Sequence, residues 1–303
     1  MHLTFLGTCA GAPSLHRNVT SIALTFSPKG ETWLFDCGEA TQHQFMRTAL
    51  KPGRLEKIFI THLHGDHIFG LPGLLTSRSM SSIVTPLTIY GPEGLKTFID
   101  TALQISGSWV DFPLTIVEVE PGIVDENDEF RVIAQPLDHS ITCFGYRVEQ
   151  KDLPGRLDQD LLKADDIPAG VWLQHLKRGK DVRLPDGREL SAQRYLGPGK
   201  KGKVVTLLGD TAPCENAILL AQDADILVHE ATLEAAMAEK ANGRGHSTTA
   251  QAAEIAQRAQ VKKLIATHFS SRYRHHDMPR LLAECRAVFT NTEFAEDFMV
   301  VEI

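Results

Sequence analysis

The heptapeptide THLHGDH at residues 61–67 places His62, His64, Asp66 and His67 within six positions. Neutral imidazoles are the commonest metal ligands and a carboxylate is a hard oxygen donor, so this spacing points to a metal centre. Gly65 is expected to let the backbone turn tightly, so that residues two apart face one pocket while their neighbours face another. Further donors stand at the ends of apolar runs: His139, Asp210 and His268. The four local ligands could surround a single ion. Seven candidates exceed what one tetrahedral site uses, however, and a carboxylate such as Asp210 can bridge two cations, so two metals about 3.5 Å apart are the better count. A lone loop histidine is more often a hydrogen-bonded or exposed residue than a ligand; it is the array that carries the reading. Asp36 reads as a group that orients a ligand through a hydrogen bond.

Donors spread from residue 62 to residue 268 need a rigid frame. Short runs rich in Val, Ile and Phe alternate with helical patterns, which predicts a layered α/β architecture. Trp33-Leu34-Phe35 stops at Asp36, Ile58-Phe59-Ile60 at His62, and Val132-Ile133-Ala134 leads through Pro136 to His139. Val204 to Leu208 stops at Gly209-Asp210, Ile226-Leu227-Val228 at His229-Glu230, and Leu264-Ile265-Ala266 at His268. Six candidate strands thus end in His, Asp or Glu, and strand ends are where such folds gather their chemistry. Ser247 and Thr248 are placed to cap a helix over 250–259, and 279–289 carries apolar residues at helical spacing.

The chain of 303 residues is 43% hydrophobic, ample for a globular core. No run approaches the roughly 20 apolar residues of a membrane helix, and MHLTFLGTCAGA lacks the pattern of a signal peptide. Five cysteines, at 9, 37, 143, 214 and 285, form no Cys-x-x-Cys pair, which suits a reducing cytoplasm and thiols that serve as buried filler. The net charge of −7 alone argues against a nucleic-acid binder. The average hides an asymmetry: 174–203 holds nine Lys and Arg against three acids, a net of +6 on an otherwise acidic chain. That basic run lies within 149–203, a stretch punctuated by Pro154-Gly155, Pro185-Asp186-Gly187 and Gly197-Pro198-Gly199. The stretch reads as an excursion from the core with one helix on each side of its middle, and its Leu and Trp content is too high for pure disorder.

The array THLHGDH is similar to the His-x-His-x-Asp-His signature of the metallo-β-lactamase superfamily. Phe35-Asp36-Cys37-Gly38-Glu39, Gly209-Asp210-Thr211, His229-Glu230-Ala231-Thr232, Gly245-His246-Ser247 and Thr267-His268-Phe269-Ser270-Ser271-Arg272-Tyr273 resemble ribonuclease Z, and within it the short bacterial form. The likeness runs from Leu3 to the C-terminus. It implies one domain over 1–303 with the superfamily's αβ/βα four-layer sandwich, and a protruding basic, flexible arm over 149–203 that grips precursor tRNA. It also implies two zinc ions, with manganese or cobalt as substitutes: His62, His64, His139 and Asp210 around one, and Asp66, His67, Asp210 and His268 around the other. Asp66 is then the proton acceptor, and His246 beside Glu230 the donor to the leaving ribose 3′-oxygen. Arg17, Asn18, Lys177, Arg178, Lys180 and Arg272 are the expected RNA contacts. The implied activity is endonucleolytic removal of the 3′ trailer from precursor tRNA, leaving a 3′-hydroxyl on the tRNA and a 5′-phosphate on the trailer, with exonucleolytic trimming in some relatives. A cytoplasmic homodimer is implied as well.

Two departures bear on substrate choice. The loop Pro13-Ser14-Leu15-His16-Arg17-Asn18 resembles the family's Pro-x-Lys-x-Arg-Asn, with Leu15 where a cation is usual. The arm's Gly-Pro turn is Gly170-Val171, which lowers local rigidity. Two rival readings stand beside the leading one. The first is another binuclear hydrolase of the same fold acting on small phosphodiesters or esters, which would have no use for a basic arm. The second is an RNA-binding module with a structural metal, which would favour a closed four-ligand site.

Overall fold

Along Glu31–Phe35, Leu34 packs into one apolar cluster while Trp33 and Phe35 meet a set of aromatic rings on the other side, the two-residue period of a strand buried on both faces. Leu55–Phe59 repeats the pattern with Ile58 and Phe59. Both belong to a seven-stranded sheet ordered Val300–Glu302, His2–Gly7, Ser21–Phe26, Glu31–Phe35, Leu55–Phe59, Leu87–Gly91, Leu114–Glu118. Its pairings are antiparallel up to Glu31–Phe35 and parallel beyond it. The second seven-stranded sheet runs Thr292–Phe294, Leu264–Thr267, Ile226–Glu230, Val204–Leu207, Phe144–Gln150, Phe130–Pro136, Gly122–Glu126.

In this computed structural model, which describes residues 1–303, helices cover the outer face of each sheet. Leu71, Leu74 and Leu75 of Leu71–Met80, with Leu95 and Ile99 of Leu95–Ser106, pack on Leu34, Ile58 and Ile89. Glu215–Ala221, Thr249–Arg258 and Met278–Val288 do the same for Leu227 and Leu264. Between the sheets Phe59 stacks on Phe35 and Tyr90 at 5.1 and 4.8 Å, and Tyr146 crosses to donate its hydroxyl to Ile60 O at 2.7 Å. Phe59 is wholly buried, so truncating it to alanine costs roughly 3–5 kcal/mol. The four layers are helix, sheet, sheet, helix.

Several boundaries differ from the sequence expectation for local reasons. Ile226–Glu230 continues through His229 and Glu230 because both are held in parallel register, opposite Ala266 and Thr267. Thr249–Arg258 starts one residue early, where Thr248 and Gln251 close a reciprocal capping box. Asp36 and His268 follow their strands with φ of 57°, a left-handed conformation that non-glycine residues hold only when their surroundings enforce it. Four of the five cysteines are buried, and burial pushes the Cys37 thiol up to about 12, so these are inert packing groups. No helix is long and apolar enough to cross a membrane.

The chain forms two units: Met1–Glu126, Val132–Val148 and Val204–Ile303 make the larger, Asn127–Arg131 and Glu149–Lys203 the smaller. The smaller unit has three short helices, Gln159–Ala164, Trp172–Lys177 and Ala192–Tyr195, rather than the two expected. Ala192–Tyr195 is a single turn, too short to leave a periodic signal. Leu162, Leu176, Leu184, Leu190 and Tyr195 form a core of its own. Arg188 and Arg194 are paired with Asp186 and Asp165, whereas Lys177, Arg178 and Lys180 are exposed and carry no ion pair. Val171 is 71% exposed.

Candidate metal centre

All seven predicted donors meet at the strand ends of the larger unit. His62 Nε2 lies 3.0 Å from His64 Nδ1, which lies 3.2 Å from His139 Nε2. Asp210 Oδ2 stands 3.6 Å from His62 Nε2 and 3.5 Å from His67 Nε2, while its Oδ1 stands 3.4 Å from His268 Nε2. Asp66 Oδ2 is 3.5 Å from both His67 Nε2 and His268 Nε2. Asp210 therefore faces both groups of donors. Donors held tetrahedrally about 2.05 Å from zinc lie roughly 3.3 Å apart, and the separations here match that.

The buried nitrogens pass the same test. His67 Nε2 and His268 Nε2 are buried with no hydrogen-bond partner, an arrangement that is costly unless a cation fills the space between them. Their opposite nitrogens are occupied: His67 Nδ1 donates to Asp36 Oδ2 at 2.7 Å, His268 Nδ1 to Thr232 Oγ1 at 3.0 Å, and His139 Nδ1 to Gly245 O at 2.7 Å. Each bond fixes the tautomer that leaves Nε2 bare toward the cluster. Asp36 also accepts Thr61 N and Thr61 Oγ1, at 2.8 and 2.9 Å, which explains its enforced left-handed backbone. Gly245 has φ of 71°, and a Cβ there would stand 2.7 Å from His139 Nδ1, so the position requires glycine.

Electrostatics favour a cation as well. Burial, reinforced by the charge of His67, drives His62 down to about 2, leaving a neutral imidazole with a free lone pair. Burial would raise Asp66, but the His268 and His67 imidazoles beside it outweigh burial and hold the carboxyl well below the usual range. Asp210 is likewise held low against burial by His268 and His67. Burial opposes a charge on His67, yet Asp210 and Asp36 raise it, which marks the pocket as one that favours positive charge.

Beside the donors, Glu230 is buried and its Oε1 lies 3.0 Å from His246 Nδ1. The same carboxylate accepts Thr211 N, Ser247 N, Thr232 N and Thr232 Oγ1. Burial would lower His246, but the bond and charge of Glu230 raise it to about 9. Arg272 lines the cleft with Asp66, Asp210, His246 and His268.

Three residues singled out in the sequence take on a definite local geometry. Gly65 makes no positive-φ turn; it opens the single helical turn Gly65–Ile68, and the donors converge through that turn instead. Arg17 turns inward, donating to Thr8 Oγ1 and Ala295 O at 2.6 Å each and lying over the Phe269 ring. Asn18 donates its side chain to Glu39 O. Both are committed within the protein, while Leu15 beside them is 98% exposed. Sequence reasoning missed Thr232, whose hydroxyl links Glu230 to His268; a hydroxyl two residues after a strand-end glutamate was the available signal. It also missed Lys240 and Arg244 on the cleft wall, signalled only by their four-residue spacing.

Two sheets clad in helices, with a His and Asp cluster at the strand ends, define a hydrolase of the metallo-β-lactamase fold, a class that uses divalent metal. In agreement, residues 190–269 match the beta-lactamase superfamily domain, and residues 1–106 match the family of the anti-Pycsar protein Apyc1. The chain is 60% identical to ribonuclease BN of Erwinia tasmaniensis over 98% of both chains, and 55% identical to that of Cronobacter sakazakii over 100% of both. The crystal structure of the short form of human tRNase Z, 33% identical, superposes with a TM-score of 0.73 over 100% of this chain and 99% of that one. The chain belongs to the ribonuclease BN family of endoribonucleases.

Proposed function

We propose that this chain is a zinc-dependent phosphodiesterase that removes the 3′ trailer of precursor tRNA, leaving a 3′-hydroxyl on the tRNA and a 5′-phosphate on the trailer. The observation that carries the reading is the convergence of donors from distant stretches of the chain beside a glutamate-held imidazolium. His62, His64, His139 and Asp210 would hold one cation, and Asp66, His67, Asp210 and His268 the other. When bound, the pair supplies Lewis acidity to the phosphoryl oxygens and lowers the pKa of water.

The remaining steps belong to the chain. Asp66, an anion anchored by Gly11 N at 2.8 Å, takes the proton of the attacking water. In-line displacement puts the leaving ribose 3′-oxygen opposite the incoming oxygen. There the imidazolium of His246, with Nδ1 tied to Glu230, delivers a proton from Nε2. Arg272 at the cleft supplies positive charge to the substrate backbone. The exposed cations of 149–203, Lys177, Arg178 and Lys180 foremost, attract the polyanionic tRNA body, a task that an enzyme for small esters would not need. The reading extends to a cytoplasmic homodimer and to exonucleolytic trimming of the 3′ end.

Asp66→Ala tests the proposal. Precursor cleavage should be lost while tRNA binding, followed by gel shift, persists. Cleavage that survives, or a wild type that hydrolyses small diesters and leaves every precursor tRNA intact, would overturn it.

A further inference from the structure

The cleft that holds Asp66, Asp210, His246 and His268 is also lined by Lys240 and Arg244, which neither metal binding nor proton transfer employs. Both are exposed, and neither has an acidic partner or a hydrogen bond from its charged head. Lys240 lies in the short helix Ala238–Asn242 and Arg244 two residues past its end. Arg272 lines the same cleft, its Nη1 lying 3.4 Å from Met237 Sδ. Three cations thus line a cleft whose own acids are already engaged by His67, His268 and Gly11 N. Arg17, the cation expected to meet the substrate here, is turned into the protein.

Position along the chain says which phosphate they meet. Lys240 and Arg244 precede His246 by six and two residues, on the segment that carries the proton donor into the cleft, and Ala241 O accepts His246 N at 3.0 Å. The donor faces the leaving 3′-oxygen, so the nucleotide bearing that oxygen lies against this segment. Its 5′-phosphate is the next anion along the strand. We propose that Lys240 and Arg244 form a subsite for the phosphodiester one nucleotide 5′ of the scissile bond, which sets the register of the strand in the cleft. This inference rests on the polynucleotide reading of the site.

The test is a cycle between protein and substrate in the full-length, metal-loaded enzyme. Precursor tRNAs are prepared with and without a single uncharged methylphosphonate at that position, and kcat/KM is measured for wild type and for the double variant Lys240→Ala/Arg244→Ala. Wild type should lose roughly 10- to 100-fold on the modified substrate, as expected for charge-assisted hydrogen bonds. The double variant should lose a similar factor on the unmodified substrate and little more on the modified one. Its salt dependence should be shallower by about 0.7 for each single-strand phosphate it no longer neutralises, and Lys240→Arg should retain most of the activity. Equal losses from the methylphosphonate in wild type and variant would overturn the subsite, as would a variant indistinguishable from wild type. A structural role would lower both substrates alike and leave the methylphosphonate penalty intact. Failure of wild type on any precursor tRNA would count against the polynucleotide reading itself.

Discussion

Glu230 Oε1 stands 3.0 Å from His246 Nδ1, while Glu230 Oε2 accepts Thr232 Oγ1, whose oxygen faces His268 Nδ1 at 3.0 Å. One buried carboxylate thus aligns the proposed proton donor, His246, and one imidazole of the donor cluster. Every backbone N–H it accepts comes from the loops it joins, so the carboxylate is also the hub that holds those loops together.

This hub contributes a pH dependence of its own to stability. His246 titrates near 9 when folded and near 6.5 when unfolded, so the stability contributed by its bond is fully present below about pH 6.5 and is lost as pH rises through 9. Wild type should therefore weaken over that window relative to Glu230→Gln, in which the carboxylate charge is gone. Chemical denaturation at the two ends of the window reads the difference, and parallel pH profiles would refute it.

His246→Ala removes the donor without touching the seven candidate ligands. Turnover should fall by about 10²- to 10⁴-fold, with metal content near two per chain by elemental analysis. A variant that loses its metal would reassign His246 to the ligand set.

Asp36 acts on the cluster directly through His67 and, by way of the Thr61 hydroxyl, through His62. Asp36→Asn keeps the volume and weakens the 2.7 Å bond to Nδ1, so metal affinity should fall roughly 10- to 100-fold in competition with a chelating dye. Unchanged affinity would mean that His67 is oriented by other groups.

Thr232→Val is nearly isosteric and deletes one hydroxyl between Glu230 Oε2 and His268 Nδ1. With both groups buried, the expected cost is about 1–3 kcal/mol of unfolding free energy, measured by denaturant titration. A neutral substitution would show that water takes over the link.

The exposed cations of the smaller unit are tested separately. Replacing Lys177, Arg178 and Lys180 with alanine should raise KM for precursor tRNA and flatten its salt dependence by roughly 0.9 for each duplex phosphate left without its cation. An unchanged salt slope would place tRNA binding on another surface.

Much of this architecture is legible in the sequence because strand ends carry it. A β-branched run that stops at His or Asp states both the sheet and the direction in which the donor points, so His62, Asp210 and His268 are readable together. Conformation and commitment are harder to read. Gly65 suggests a tight turn, and the helical turn it opens brings Asp66 and His67 inward with ordinary backbone. Arg17 reads as a free cation because nothing local announces that Ala295 O and Thr8, far apart in sequence, will accept its guanidinium. Ala192–Tyr195 is invisible because one turn of helix has no period, and Lys240 and Arg244 are overlooked because a charge is assigned to a cleft only once the cleft is built.

The most direct test maps both product ends of an end-labelled precursor tRNA, with defined metals and after chelation, for wild type and Asp210→Ala. The account predicts a 3′-hydroxyl on the tRNA and a 5′-phosphate on the trailer, formed only by metal-loaded wild type. Cleavage that persists after chelation or in Asp210→Ala, or a 2′,3′-cyclic phosphate at the cut, would contradict it.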